Sequence, residues 1–166
     1  MKKRAVHAFL AVFLFLPLLW GCATSGKQPE GNADDFYARA LRASEDRDYK
    51  LVVEYCTQTI RLNPMHQSAY KLRGAAYGLL QKWDESIDDF SKALEFSPGD
   101  APTLEVRGHA RMQKAFSLTK KDPDAAVQLL ILAVMDFDKA CKGGQKDACR
   151  TLNEINSVLE SMKDGQ

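Results

Sequence analysis

Four cysteines, three histidines and one run of acids are the residues of this 166-residue chain whose types could carry chemistry. Cys141 and Cys149 flank Gly143-Gly144, a turn that can bring two sulfurs together; the residues alone leave open a disulfide or two separate thiols. With no histidine nearby, two sulfurs do not complete a zinc site, and no metal is expected. Cys56 falls on an apolar helical face, where a lone cysteine acts as a small, inert hydrophobe. His66 follows Asn63-Pro64 in a turn and His109 lies in a helical stretch, and neither has a second ligand or a nucleophile motif beside it. Asp84, Glu85, Asp88 and Asp89 alternate with Ile87 and Phe90, the pattern of the wet side of an amphipathic helix, so all four are expected to be solvated. There is no Gly-rich phosphate loop and no nucleophile elbow. The chain is therefore not expected to be an enzyme, and no cofactor is expected; a catalytic site would have to be gathered from scattered residues.

The elements that hold these residues belong to one compact domain behind a leader. A composition of 45% hydrophobic and 27% charged residues excludes a disordered tail and a cysteine-dense mini-protein. From Cys22 onward, 20 basic residues face 22 acidic ones, which argues against nucleic acid as a partner. Lys2, Lys3 and Arg4 precede an apolar run from Ala5 to Trp20 that is short for a spanning helix and contains Pro17. Its end, Leu19-Trp20-Gly21-Cys22, resembles the lipobox of a bacterial lipoprotein, with Trp20 departing from the usual small residue. The resemblance implies a signal peptide over 1–21 and acyl chains (palmitate among them) on Cys22. Because Ala23 is not an aspartate, it also implies an outer-membrane address facing the periplasm. Residues 22–32, rich in Ser, Gly, Gln, Pro and Asn, would form a flexible lipidated tether.

Beyond the tether, over 33–164, apolar residues recur at three and four, in segments broken by Asn-Pro, Ser-Pro-Gly-Asp and Gly-Gly, which predicts an all-α chain. Pro64 and Pro98 lie one 34-residue period apart, and between them run Tyr70, Gly74, Tyr77, Trp83, Ser86, Phe90 and Ala93. This unit resembles a tetratricopeptide repeat. A more degenerate copy precedes it, with Phe36, Ala40, Ala43, Tyr49, Val52, Cys56 and Thr59. A third follows, with Leu104, Gly108 and Arg111. The third unit's second helix matches at Ala133, Phe137 and Ala140 only if extra residues enter around Ser117 to Leu129, where Asp122 reads as a cap and Pro123 as a first-turn residue. A helix from about Asp147 to Met162, striped by Ala148, Leu152, Ile155, Leu159 and Met162, reads as the capping helix of a short α-solenoid of about three hairpins. The segment Ala-Cys-Lys-Gly-Gly-x3-Ala-Cys resembles the cysteine-rich cousins of these repeats, which implies a disulfide between Cys141 and Cys149.

In the repeat family the first helices line a groove that holds a peptide or helix. Carried across residue by residue, that lining includes Tyr37 and Leu41, then Lys71 and Ala75, then Glu105, His109 and Met112. It lacks the basic and asparagine set with which some relatives clamp a C-terminal carboxylate. A second surface comes from residues 125–140, which are apolar on every side: Val127, Leu129, Ile131, Leu132, Val134 and Met135 lie off the core stripe. The expected cover is the capping helix and the extra residues; otherwise Ile131 and Met135 belong to a self-association or docking face.

The reading is a lipid-tethered interaction scaffold that recruits other envelope proteins. Its alternatives are a small periplasmic hydrolase or thiol-redox enzyme, and a cell-wall-binding module, for which Trp83 would be the only mature-chain tryptophan.

Overall fold

The computed structural model describes residues 31–164, with side chains to Ser157, and Gly31 onward forms one compact unit. The leader, the lipobox and Cys22 lie outside the described residues, as do the side chains of Leu159 and Met162. Seven helices make up the described chain: α1 Ala33–Glu45, α2 Tyr49–Leu62, α3 Gln67–Leu79, α4 Trp83–Phe96, α5 Ala101–Leu118, α6 Pro123–Lys142 and α7 Lys146–Asp164. They pack as three consecutive hairpins, α1–α2, α3–α4 and α5–α6, each against the next, with α7 on α6.

Three of the helix starts, those of α1, α2 and α6, rest on short polar side chains. The Asp35 N–H donates to the Asn32 side chain while the Asp35 carboxylate accepts from the Asn32 N–H, a reciprocal box that starts α1. Asp48 accepts from the Leu51 N–H at 3.1 Å, and Asp122 from the Ala125 N–H at 3.0 Å with Pro123 behind it. The first two hairpins turn through left-handed residues one period apart, Arg47 (φ 59) and Gln81 (φ 58).

Small residues set the distance between paired helices. A Cβ at Gly74 would sit 3.1 Å from the Phe90 ring, and one at Gly108 would sit 2.9 Å from the ring of Phe137. Across the first contact the Ser86 hydroxyl donates to the Gly74 carbonyl at 2.8 Å, so the polar groups of the close approach are satisfied. Two apolar clusters follow. One gathers Ala40, Ala43, Val52, Cys56, Ala69 and Ala76, and the other Leu94, Leu104, Ala133, Phe137, Ala140 and Ala148.

One expectation is met and one is corrected. The extra residues of the third unit enter around the expected break, with Asp122 as cap and Pro123 in the first turn: α5 has 18 residues and α6 has 20, against 13 and 14 in α3 and α4, so the insertion lengthens both helices and leaves 119–122 between them. Asp89, by contrast, is not solvated as expected. It is buried, and the Arg73 guanidinium donates to both of its oxygens at 2.7 Å.

Candidate functional site

Where α5 and α6 are lengthened, a groove of about 650 Å³ lies between α5, α6 and α7. Met112 and Phe116 of α5 form one wall, Ile155 and Glu154 of α7 the other, and α6 supplies the floor with Leu130, Ala133 and Val134 and an outer lip with Val127, Ile131 and Met135. At 100° per residue the floor residues lie on the side of α6 nearest the core and the lip residues turn outward. Exposure follows that geometry: Ala133 is buried and Leu130 and Val134 half-buried, whereas Phe116, Val127, Ile131 and Met135 are 59%, 55%, 54% and 51% exposed.

Among the described residues, the expected cover of this helix is thus only partly present. A single helix, α7, packs on the C-terminal half of α6 and is tied there by the Cys141–Cys149 disulfide, with Ala148 fully buried and Ile155 against the Leu94–Phe137 cluster. Among the described residues, no following hairpin and no loop is folded over the N-terminal half. Apolar side chains left exposed together in a concave place mark an interaction site, whereas scattered ones do not.

The groove joins two surfaces that were separate in the sequence. Met112 comes from the first-helix lining, and Ile131 and Met135 from the apolar helix; the structure brings all three to one place. The remaining lining residues are spread along α1, α3 and α5. Leu41 and Ala75 are exposed, Tyr37 is half-buried with its ring 4.6 Å from that of His66, and His109 meets Phe137 edge-on at 4.9 Å. Lys71 donates to Asp100 at 3.0 Å, which commits its charge within the fold. Glu105 is half-buried. Phe116, Leu130, Glu154 and Ile155 had no place among the expected site residues. Phe116 was findable, since it stands four after Met112 on the same helical face.

Among the described residues lining the groove, Glu154 is the one ionisable group. Cys56 is fully buried, and burial pushes its thiol up from the ordinary 9.0 to about 12, far from the thiolate a nucleophile needs. The best-built polar cluster is structural: Arg107 donates to both Asp136 oxygens at 2.9 and 2.7 Å, and Arg111 adds a third bond at 2.5 Å.

Residues 68–100 match the family model described as tetratricopeptide repeat. Among curated relatives, the small glutamine-rich tetratricopeptide repeat-containing protein 2 of Saccharomyces cerevisiae is 22% identical over 136 residues, covering 82% of this chain and 38% of the relative. The TPR repeat-containing thioredoxin TDX of Arabidopsis thaliana is 25% identical over 111 residues, 65% of this chain and 28% of the relative. The chain thus spans less than two fifths of the length of these relatives. Among solved structures, the first TPR of Spaghetti (RPAP3) bound to the HSP90 peptide SRMEEVD is similar with a TM-score of 0.64 at 18% identity, covering 78% of this chain and 94% of that one. The Sgt2 TPR domain from Aspergillus fumigatus gives 0.63 at 17% identity, with 82% and 83% covered.

Proposed function

From one recognised tetratricopeptide repeat inside an all-helical solenoid, we propose that this chain is a protein-interaction scaffold that holds a helix or extended peptide of its partner, with apolar anchors seated in the α5–α6–α7 groove. The observation that carries the reading is the cluster of Phe116, Met112, Leu130, Val134 and Ile155 around an open cavity. Burying an aromatic or aliphatic anchor there contributes about 1.5–3 kcal/mol per side chain, enough for two or three anchors to hold a partner. Solved structures of similar fold hold an HSP90 peptide in one case and pHsp70 in another, so peptide capture is within the reach of the fold. The ligand differs in kind here: the groove is apolar and Lys71 is already paired, which disfavours an acidic tail and favours an amphipathic helix.

The leader supports the finer reading of a lipoprotein of the bacterial envelope, acylated on Cys22, anchored to the outer membrane and facing the periplasm. Its partners would then be other envelope proteins.

A photoreactive residue introduced at position 116 tests the docking site in cells. The expected result is a discrete crosslinked partner band that is absent when the same residue is placed at Glu54, an exposed position on α2. Equal labelling from both positions would contradict the reading.

A further inference from the structure

The turn between α6 and α7 is pinned on one side and open on the other. Gly143 is wedged against the start of α5, where a Cβ on it would sit 2.5 Å from that of Ala101, so α6 ends at a fixed point. Gly144 follows in the left-handed region (φ 95), and a Cβ there would meet nothing within 4 Å. The pair forms a hinge, with α6 anchored and α7 as the arm. Few contacts hold that arm. Ala148 is fully buried, and Leu152 and Ile155 are half-buried. The side-chain hydrogen bonds of the described part of α7, Arg150 to Asp147 and Ser157 to the Glu154 carbonyl, close within the helix. The Cys141–Cys149 disulfide spans the hinge, with one sulfur on each helix. Glu154 and Ile155, the groove's second wall, stand on the arm about 8 Å beyond Cys149.

We propose, on the reading of the α5–α6–α7 groove as the docking site, that this disulfide is a redox lock on it. Oxidised, the pair holds the α7 wall in place; reduced, it frees α7 to turn about Gly144, and the groove loses Glu154 and Ile155. The step is thiol–disulfide exchange with a dithiol reductant. Both cysteines are half-buried in a turn whose Lys142, Gly143, Gly144 and Lys146 are exposed, which gives a donor thiolate access. The thiolate attacks Cys141 Sγ and the Cys141–Cys149 bond breaks. Cys149 leaves near the start of α7, where the helix N-terminus and Lys146 favour its negative charge until it takes a proton. The donor's second thiol then attacks the donor's own sulfur in the mixed disulfide and releases Cys141. The pair gains two electrons and two protons, and the donor ends as a disulfide.

A distance measurement tests the lock in the full chain carrying Cys22→Ser, with Cys56 buried and cysteine-independent spin labels at Gln113 on α5 and Asn153 on α7, both exposed. The oxidised chain is expected to give one narrow distance distribution. Dithiothreitol is expected to broaden and lengthen it, and reoxidation to restore it. A one-carbon thioether bridge placed across the reduced pair is expected to keep the distribution narrow in dithiothreitol, which separates the lock from any other effect of the reductant. An unchanged distribution on reduction would overturn the lock. In cells, the position-116 crosslink band is expected to be lost when Cys141→Ala and Cys149→Ala are combined, with helical circular dichroism showing the variant folded. A band equally strong in that variant would overturn the control of docking and leave the docking groove standing. A band missing from the disulfide-bonded chain as well would sink the docking reading and the control of docking with it, while the distances still decide whether the hinge is locked.

Discussion

The Arg73 guanidinium forks onto both carboxylate oxygens of Asp89 at 2.7 Å, and the pair recurs one repeat later as Arg107 on Asp136. Each arginine also donates to a hydroxyl on the preceding hairpin's second helix, Arg73 to Thr57 at 3.0 Å and Arg107 to Ser91 at 3.1 Å. The two clusters therefore tie a hairpin internally and to its predecessor. In the first unit the acid's place is taken by Tyr55, and Arg39 lies over the Phe36 ring instead.

Breaking such a pair leaves the survivor's charge buried, which costs about 3–5 kcal/mol, whereas removing both charges costs much less. Arg73→Met and Asp89→Leu are each expected to lower urea-unfolding stability by about 3 kcal/mol, and the double variant by clearly less than the sum. Additive losses would show that the two side chains act independently.

The glycines separate by what surrounds them. Gly108→Ala is expected to destabilise by about 1–3 kcal/mol, because its methyl would meet Phe137 at 2.9 Å in a buried contact. Gly78→Ala is expected to be neutral or to stabilise by up to about 1 kcal/mol, since its methyl meets the Ser86 hydroxyl at 3.4 Å and the helix gains propensity. Thermal unfolding of the two variants, side by side, checks the contrast.

Cys56 makes stability depend on alkaline pH. Its folded thiol is raised to about 12 from 9.0, so between those values the unfolded chain releases a proton that the folded chain keeps. The stabilisation is present below pH 9 and is lost as pH rises toward 12, at about 1.4 kcal/mol per unit. The stability difference between the unsubstituted chain and Cys56→Ala is therefore expected to shrink as pH rises above 9. A pH-independent difference would contradict the account.

The disulfide across Gly143-Gly144 closes a short loop, and its removal is expected to cost about 2.5 kcal/mol by loop entropy. The loss should be local. Hydrogen exchange after reduction is expected to rise in α7 and at Met112 and Val134, with α1–α4 unchanged.

The period, the hairpins and the close approaches were readable because Gly74, Phe90, Gly108 and Phe137 recur at positions whose size alone sets the helix spacing. Asp89 was misread because helical periodicity ranks a carboxylate as water-facing unless its partner is seen. That partner was visible only as a second periodicity, Arg73 with Arg107 and Thr57 with Ser91, and the lengthened α5 and α6 displaced Asp136 out of register. The exposed lip of α6 was unreadable for another reason. An all-apolar helix signals that something covers it, and sequence does not say whether the cover is in the same chain.

The docking groove is tested most directly by comparing partner recovery from crosslinked cells with Phe116→Asp and with Leu62→Asp, an equally apolar and exposed change away from the groove. The account predicts that Phe116→Asp loses the partner by tenfold or more, equivalent to at least about 1.4 kcal/mol, while Leu62→Asp retains it. Equal recovery with both variants, from folded protein, would contradict it.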